Sequence, residues 1–232
     1  MQADVGRRSI VRYSACMIAS GAKRVPRPSA EVLPFMENGD MLTLTEFLRR
    51  YDAMHDVKKA ELIEGVVHMP SPVRIDQHAK PDGLIHTWLG LYAIANDLEF
   101  YPNATLLTDT ENSFQPDAIL CSKPRAGGRV WLNNQGLLCG APELVVEVAA
   151  SSVSIDLRDK LRVYRRNGVS EYIVWRTQDR AVDWFVLEDG QYVKLVPDRG
   201  QKLRSRVFTG LVLDVKALLN HDGSKVIAAL KR

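Results

Sequence analysis

No uninterrupted apolar stretch in the sequence approaches the roughly 18 residues needed to span a bilayer, so a membrane role is not expected. Cysteine is scarce as well. Cys16, Cys121 and Cys139 are odd in number and form no CxxC pair, which points to reduced thiols in a cytoplasmic protein. Cys121 and Cys139 flank a loop across which they could approach. None of the five histidines has paired-ligand spacing with a cysteine, so a structural zinc site is not expected. Charge of one sign is also missing from most of the chain. The net +3 lies in the first 36 residues, where six Lys or Arg face only Asp4 and Glu31; the rest holds 25 basic against 26 acidic residues. Overall charge therefore makes no case for nucleic acid, although it permits a local basic surface.

What is present is an ordinary globular composition. With 46% hydrophobic and 25% charged residues over 232 positions, the chain can bury one full-sized core and carry a tail. Residues 1–40 read as a disordered basic extension, punctuated by Pro26, Pro28 and Pro34. Ala15–Ser20 only faintly imitates a targeting segment. A start placed too far upstream, or a basic arm touching phosphates, are alternative accounts of this stretch. Residues 41–220 form the expected domain, and residues 221–232 a C-terminal tail.

Within the domain, Thr43 with Glu46 three residues later forms a capping-box pattern before Leu44, Phe47, Leu48 and Tyr51, which predicts a helix. Residues 61–69 predict a hairpin turning at Glu64-Gly65, closed by Pro70, Ser71 and Pro72. A second helix is predicted from Ile75 or His78 to Ala95, its start blurred by Pro81 and Gly83. Strands are expected at 104–108, 117–121, 143–149, 171–176, 182–187 and 191–196. A helix opens near Ser154 or Asp156 as cap and closes at Gly168, and a terminal helix covers Val215 to Leu219. This order gives an α/β or α+β domain.

Glu147 is the residue that the pattern does not absorb. It stands inside Leu144-Val145-Val146-Glu147-Val148-Ala149, and an isolated carboxylate there costs several kcal/mol unless it is paired or binds a cation. Asp117 stands at the start of another apolar strand. If the two strands are neighbours, both carboxylates can converge on one ion, and hard oxygen donors suit Mg²⁺ or Mn²⁺. Counting 100° per residue from Leu157 puts Lys160 at about 300°, bordering the stripe that holds Tyr164 and Leu161, so its ammonium can lean toward Glu147. Two carboxylates, a metal and a lysine are the parts of a phosphodiesterase. The same residues also fit a plain buried ion pair.

The strings Glu61-Leu62-Ile63-Glu64-Gly65-Val66-Val67-His68-Met69, His78, Pro116-Asp117 and Gly140 through Val148 resemble the Uma2 family. So do Asp156, Lys160, Tyr164, Gly168-Val169 and Glu171-Tyr172. These blocks cover roughly residues 41–200 in the family's order. The resemblance implies a restriction-endonuclease-like fold, with a central mixed sheet flanked by helices and a PD-(D/E)xK type site. It makes Asp117 the PD aspartate and Glu147 the second metal ligand, with the Val148 carbonyl also reaching the ion. Glu61 becomes an outer or second-metal carboxylate. It implies a Mg²⁺-dependent endonuclease, a nucleic-acid partner (DNA first) and a homodimer. One departure stands out: Ala149 occupies the place of the motif's lysine, so Lys160 on the following helix is expected to supply it. A nuclease-like homodimer that binds nucleic acid or another partner without cutting is the alternative. A glycosidase using the two acids is a distant third.

Overall fold

The computed structural model describes residues 34–70 and 74–230. Most of the expected N-terminal extension, including Ala15–Ser20, lies outside the described residues, as do Ser71 and Pro72. Within residues 34–40, Met36 is already buried.

Chain order runs through helix α1 (Leu44–Ala53), hairpin β1 (Glu61–Ile63) and β2 (Val66–His68), and α2 (Lys80–Ala95). Then come β3 (Glu99–Pro102), β4 (Leu106–Leu107), β5 (Ser113–Phe114), β6 (Ala118–Cys121), β7 (Val130–Leu132), β8 (Leu138–Gly140) and β9 (Leu144–Ala149). The helical segment that follows has three parts: α3 (Val153–Ile155), a wide π turn (Asp156–Lys160) and α4 (Leu161–Arg166). The chain finishes with β10 (Glu171–Arg176), β11 (Ala181–Glu188), β12 (Gln191–Lys194), β13 (Lys202–Arg204), β14 (Val212–Asp214), α5 (Val215–Leu219) and α6 (Gly223–Ala228).

The strands form two six-stranded sheets, ordered β2-β1-β5-β4-β8-β7 and β12-β11-β10-β9-β6-β3, with β13 and β14 as a separate pair. Both large sheets are mixed: β9 runs parallel to β10 and antiparallel to β6, while β4 runs parallel to β8 among otherwise antiparallel neighbours. The expected mixed sheet flanked by helices is therefore present, accompanied by a second sheet of short strands.

Strand β9 is buried along its whole length, as an apolar run with no exposed face requires. Its alternate residues serve two cores. Leu144, Val146 and Val148 join Ile85, Trp88 and Leu89 of α2 and Val226 of α6, so residues within the expected C-terminal tail pack into the same core. Val145 and Ala149 face Val163 and Tyr164 of α4 and Ile63, Leu106 and Phe114 of the other sheet. Glu147 shares that second side, as the period-two count predicts.

Local rules account for the helix boundaries. Thr43 Oγ1 accepts the Glu46 N–H at 3.3 Å and caps α1, while the Glu46 carboxylate turns forward to Arg49 and Arg50. Before α2, residues Ile75–Ala79 form a π turn. Pro81 has no N–H for the carbonyl of Gln77, and that oxygen accepts the Thr177 hydroxyl at 2.8 Å. Asp156 corrects a sequence expectation: it caps nothing, and sits buried inside the helical segment because its side chain belongs to a charged cluster.

Candidate functional site

Glu61, Asp117, Glu147, Asp156 and Lys160 are all buried, with Glu147 and Lys160 each only 3% exposed. Four segments bring them together. β9 supplies Glu147, the chain entering β6 supplies Asp117, and β6 pairs with β9 in the register Ala118 to Val146. The strands are thus neighbours, as convergence of the two acids requires. β1 supplies Glu61, and the π turn supplies Asp156 and Lys160, four residues apart on one helical face.

Lys160 is the hub. Its Nζ lies 2.8 Å from Glu61 Oε2, 2.9 Å from Glu147 Oε1 and 3.4 Å from Asp156 Oδ1. An ammonium has three N–H donors, and three carboxylates surround this one. The Tyr164 hydroxyl adds a long 3.4 Å hydrogen bond to Glu147 Oε1. Asp156 is further held by the Ser152 hydroxyl on Oδ2, whereas its Oδ1 is buried and accepts no hydrogen bond.

Asp117 has its own set of partners. Its Oδ2 accepts the Val148 N–H at 2.7 Å, which pins it against β9 one residue from Glu147. Lys59 Nζ lies 3.3 Å from Oδ1, and His78 Nε2 lies 3.4 Å from Oδ2. The Asp117 backbone oxygen meets His86 Nε2 at 2.8 Å, and that ring also reaches Asp82 at 2.9 Å. The sequence pattern marked Asp117, Glu147, Lys160 and Glu61, and noted His78. Lys59, Asp156 and His86 were not assigned to the site, although the first two lie two residues before Glu61 and four before Lys160.

Titration behaviour follows from this arrangement. Burial pushes Glu147 well above the usual carboxylate range; Lys160 opposes that, but Asp156, Asp117 and Glu61 add to it. Burial also raises Asp156, against the pull of Lys160. Burial acts upward on Asp117 too, yet the His78 and Lys59 contacts and the Val148 N–H outweigh it and hold that acid far below its ordinary value. Glu61 likewise lies below its ordinary value, because Lys160 and Lys59 overcome burial. His78 is raised, chiefly by its contact with Asp117.

The donor set suits a hard divalent cation. Counted as fully ionised, four carboxylates share the site with two lysines, a formal excess of two negative charges that the raised Glu147 and Asp156 values reduce and that a divalent ion would offset. The oxygens are hard donors, and Asp156 Oδ1 is an unsatisfied buried acceptor. Among the described residues no three His, Cys, Asp or Glu side chains are grouped ready to enclose an ion. Backbone oxygen would have to complete any such set.

Comparison with known proteins agrees with the sequence resemblance. Among curated proteins none matches the chain. A crystal structure at 1.96 Å of a "putative nuclease" belonging to DUF820 from Anabaena variabilis ATCC 29413 superposes with a TM-score of 0.61. The match covers 77% of this chain and 98% of that one at 16% identity, which is a likeness of fold. The family Uma2, described as "Putative restriction endonuclease", matches residues 44–216. With the family pattern spanning both sheets and the whole acidic cluster, the chain belongs to the Uma2 family.

Proposed function

We propose that this protein is a metal-dependent endonuclease that hydrolyses phosphodiester bonds in nucleic acid, with DNA as the first substrate to test. The observation that carries the proposal is the buried cluster in which Lys160 faces Glu61, Glu147 and Asp156 while Asp117 is pinned to the neighbouring residue Val148. Buried charges are paired or coordinate metals, and this cluster has more acids than lysines to pair with them.

In this reading Asp117, Glu147 and the Val148 carbonyl hold Mg²⁺ or Mn²⁺, with Glu61 as the outer carboxylate. The ion, when bound, polarises a phosphoryl oxygen and eases ionisation of an attacking water. The chain's own residues do the rest. Lys160 keeps three acids close together and supplies positive charge as the phosphate gains negative charge. The Asp117 contact with the Val148 N–H fixes the relation between the two ligand-bearing segments. We place the activity in the cytoplasm, where Cys121 and Cys139, both free thiols, would stay reduced. The proposed working form is a homodimer. No helix among the described residues is long and apolar enough to cross a membrane.

Incubating DNA with the full chain in Mg²⁺ tests the reading. Cleavage that disappears in Glu147→Gln and in chelator supports it; cleavage that persists in Glu147→Gln overturns it. A second reading, nucleic-acid binding without cutting, is favoured by one observation: Lys160 already occupies the space between Glu61 and Glu147. It predicts metal-independent retention on nucleic acid with a negative salt slope and no product.

A further inference from the structure

Lys160 and Lys59 do not have the same freedom to meet a substrate. The Lys160 side chain is 4% exposed, donates hydrogen bonds to Glu61 and Glu147 and lies 3.4 Å from Asp156, so it is enclosed by acids and shielded from an incoming anion. Lys59 is 24% exposed, and Asp117 Oδ1, at 3.3 Å, is its single hydrogen-bond acceptor among the described residues. Two of its three N–H donors are therefore available. His78, similarly exposed, contacts the other oxygen of the same carboxylate.

Of the two lysines in the cluster Lys59 is the more exposed, and a phosphate group approaching it still meets repulsion from the carboxylates behind it. Some exposed positive charge must offset it. We propose that Lys59 is the residue that contacts a phosphate oxygen of the nucleic acid, while Lys160, held among the acids, adds its charge to the site without touching the substrate. This assignment rests on the nuclease reading above and adds a substrate-binding residue to it. Lysine suits the role as a flexible point charge that can release Asp117 and turn outward.

The test compares wild type, Lys59→Met and Lys59→Arg as full chains. Binding to a short DNA duplex is measured by fluorescence anisotropy in EDTA across a series of potassium chloride concentrations. Steady-state cleavage in Mg²⁺ is measured alongside. Loss of one phosphate contact predicts about tenfold weaker binding for Lys59→Met at moderate salt and a salt slope smaller by about one. In cleavage it predicts a rise in KM larger than the fall in kcat. Lys59→Arg, which keeps the charge, restores the slope. If Lys59→Met melts at a lower temperature, the arginine variant still decides, because a purely structural role would leave the salt slope unchanged. Wild-type affinity, slope and KM in Lys59→Met, with wild-type cleavage intact, overturn the Lys59 assignment alone. Weakened binding in Lys59→Met with no cleavage by wild type overturns the hydrolase and keeps Lys59. A wild type that neither binds nor cuts overturns both.

Discussion

Lys160 Nζ lies 2.9 Å from Glu147 Oε1, joining the π turn to the central strand across thirteen positions of sequence. The contact gives the carboxylate in the apolar strand a partner, and it ties Glu61 and Asp156 to the same cation. Removing the lysine would leave those acids buried without it. Lys160→Met is expected to cost about 3–5 kcal/mol at neutral pH, read by denaturant unfolding. The deficit should shrink in acid, where the carboxylates bind protons. A variant as stable as wild type at neutral pH would mean that the acids do not depend on Lys160.

Glu147→Gln tests the opposite side of the contact. Burial and the three neighbouring acids raise the Glu147 pKa in the folded state, so ionising this residue opposes folding. A raised folded pKa means a contribution present below the unfolded value of about 4.3 and lost as pH climbs through the folded pKa. In chelator, wild type is expected to lose stability over that window while Glu147→Gln lacks the slope. The amide variant should fall within about 1.5 kcal/mol of wild type at neutral pH, or exceed it. A much larger loss would make Glu147 a charged partner that the fold needs.

Glu171 offers a comparison away from the site. It is fully buried: Oε1 accepts the Arg206 and Val207 N–H groups, and Oε2 accepts the Trp184 indole N–H at 3.2 Å. Glu171→Gln keeps one acceptor and points an amide donor at the indole donor. It is expected to lose about 1–3 kcal/mol in thermal or urea unfolding. Burial raises the Glu171 pKa as well, so stability tied to this group declines as pH rises from about 4.3 through the folded value, and the glutamine variant should lack that decline. Unchanged stability would show that the loop at 205–208 does not depend on this carboxylate.

Gly140 ends β8 at φ +103°, where a Cβ would lie 2.4 Å from the Arg129 carbonyl oxygen and 2.8 Å from the Trp131 ring. Gly140→Ala is expected to cost at least about 1–3 kcal/mol from backbone strain alone. A melting temperature equal to wild type would show that the edge hairpin yields without cost.

Much of this architecture can be read from local sequence. The apolar run around Glu147, the Thr43 cap and the Glu64-Gly65 turn each carry their signal within a few residues, and β10 and α5 match their expected ranges. Helical geometry places Lys160 at the border of the apolar stripe, and the π turn at Asp156–Lys160, which the sequence did not signal, is where it turns fully inward. The short strands β4, β5, β7, β8, β13 and β14 carry too few residues for a period-two pattern, and the expected strand at 104–108 shortens to Leu106–Leu107. β3, ending at Pro102, also escapes detection. The assembly around Asp117 depends on partners 58 and 31 positions away, Lys59 and His86, which no spacing rule brings together. Asp156 has a cap-forming residue type near a helix start, so the pattern there favours a local role over its buried place beside Lys160.

Calorimetric titration of Mg²⁺ and Mn²⁺ into wild type and the Asp117→Ala/Glu147→Ala double variant, run beside the cleavage assay, tests the central claim most directly. The account predicts saturable binding by wild type, none by the double variant, and cleavage only where metal binds. No metal binding by a wild type whose folding still needs Glu147 would contradict it, and would make the cluster a structural ion network.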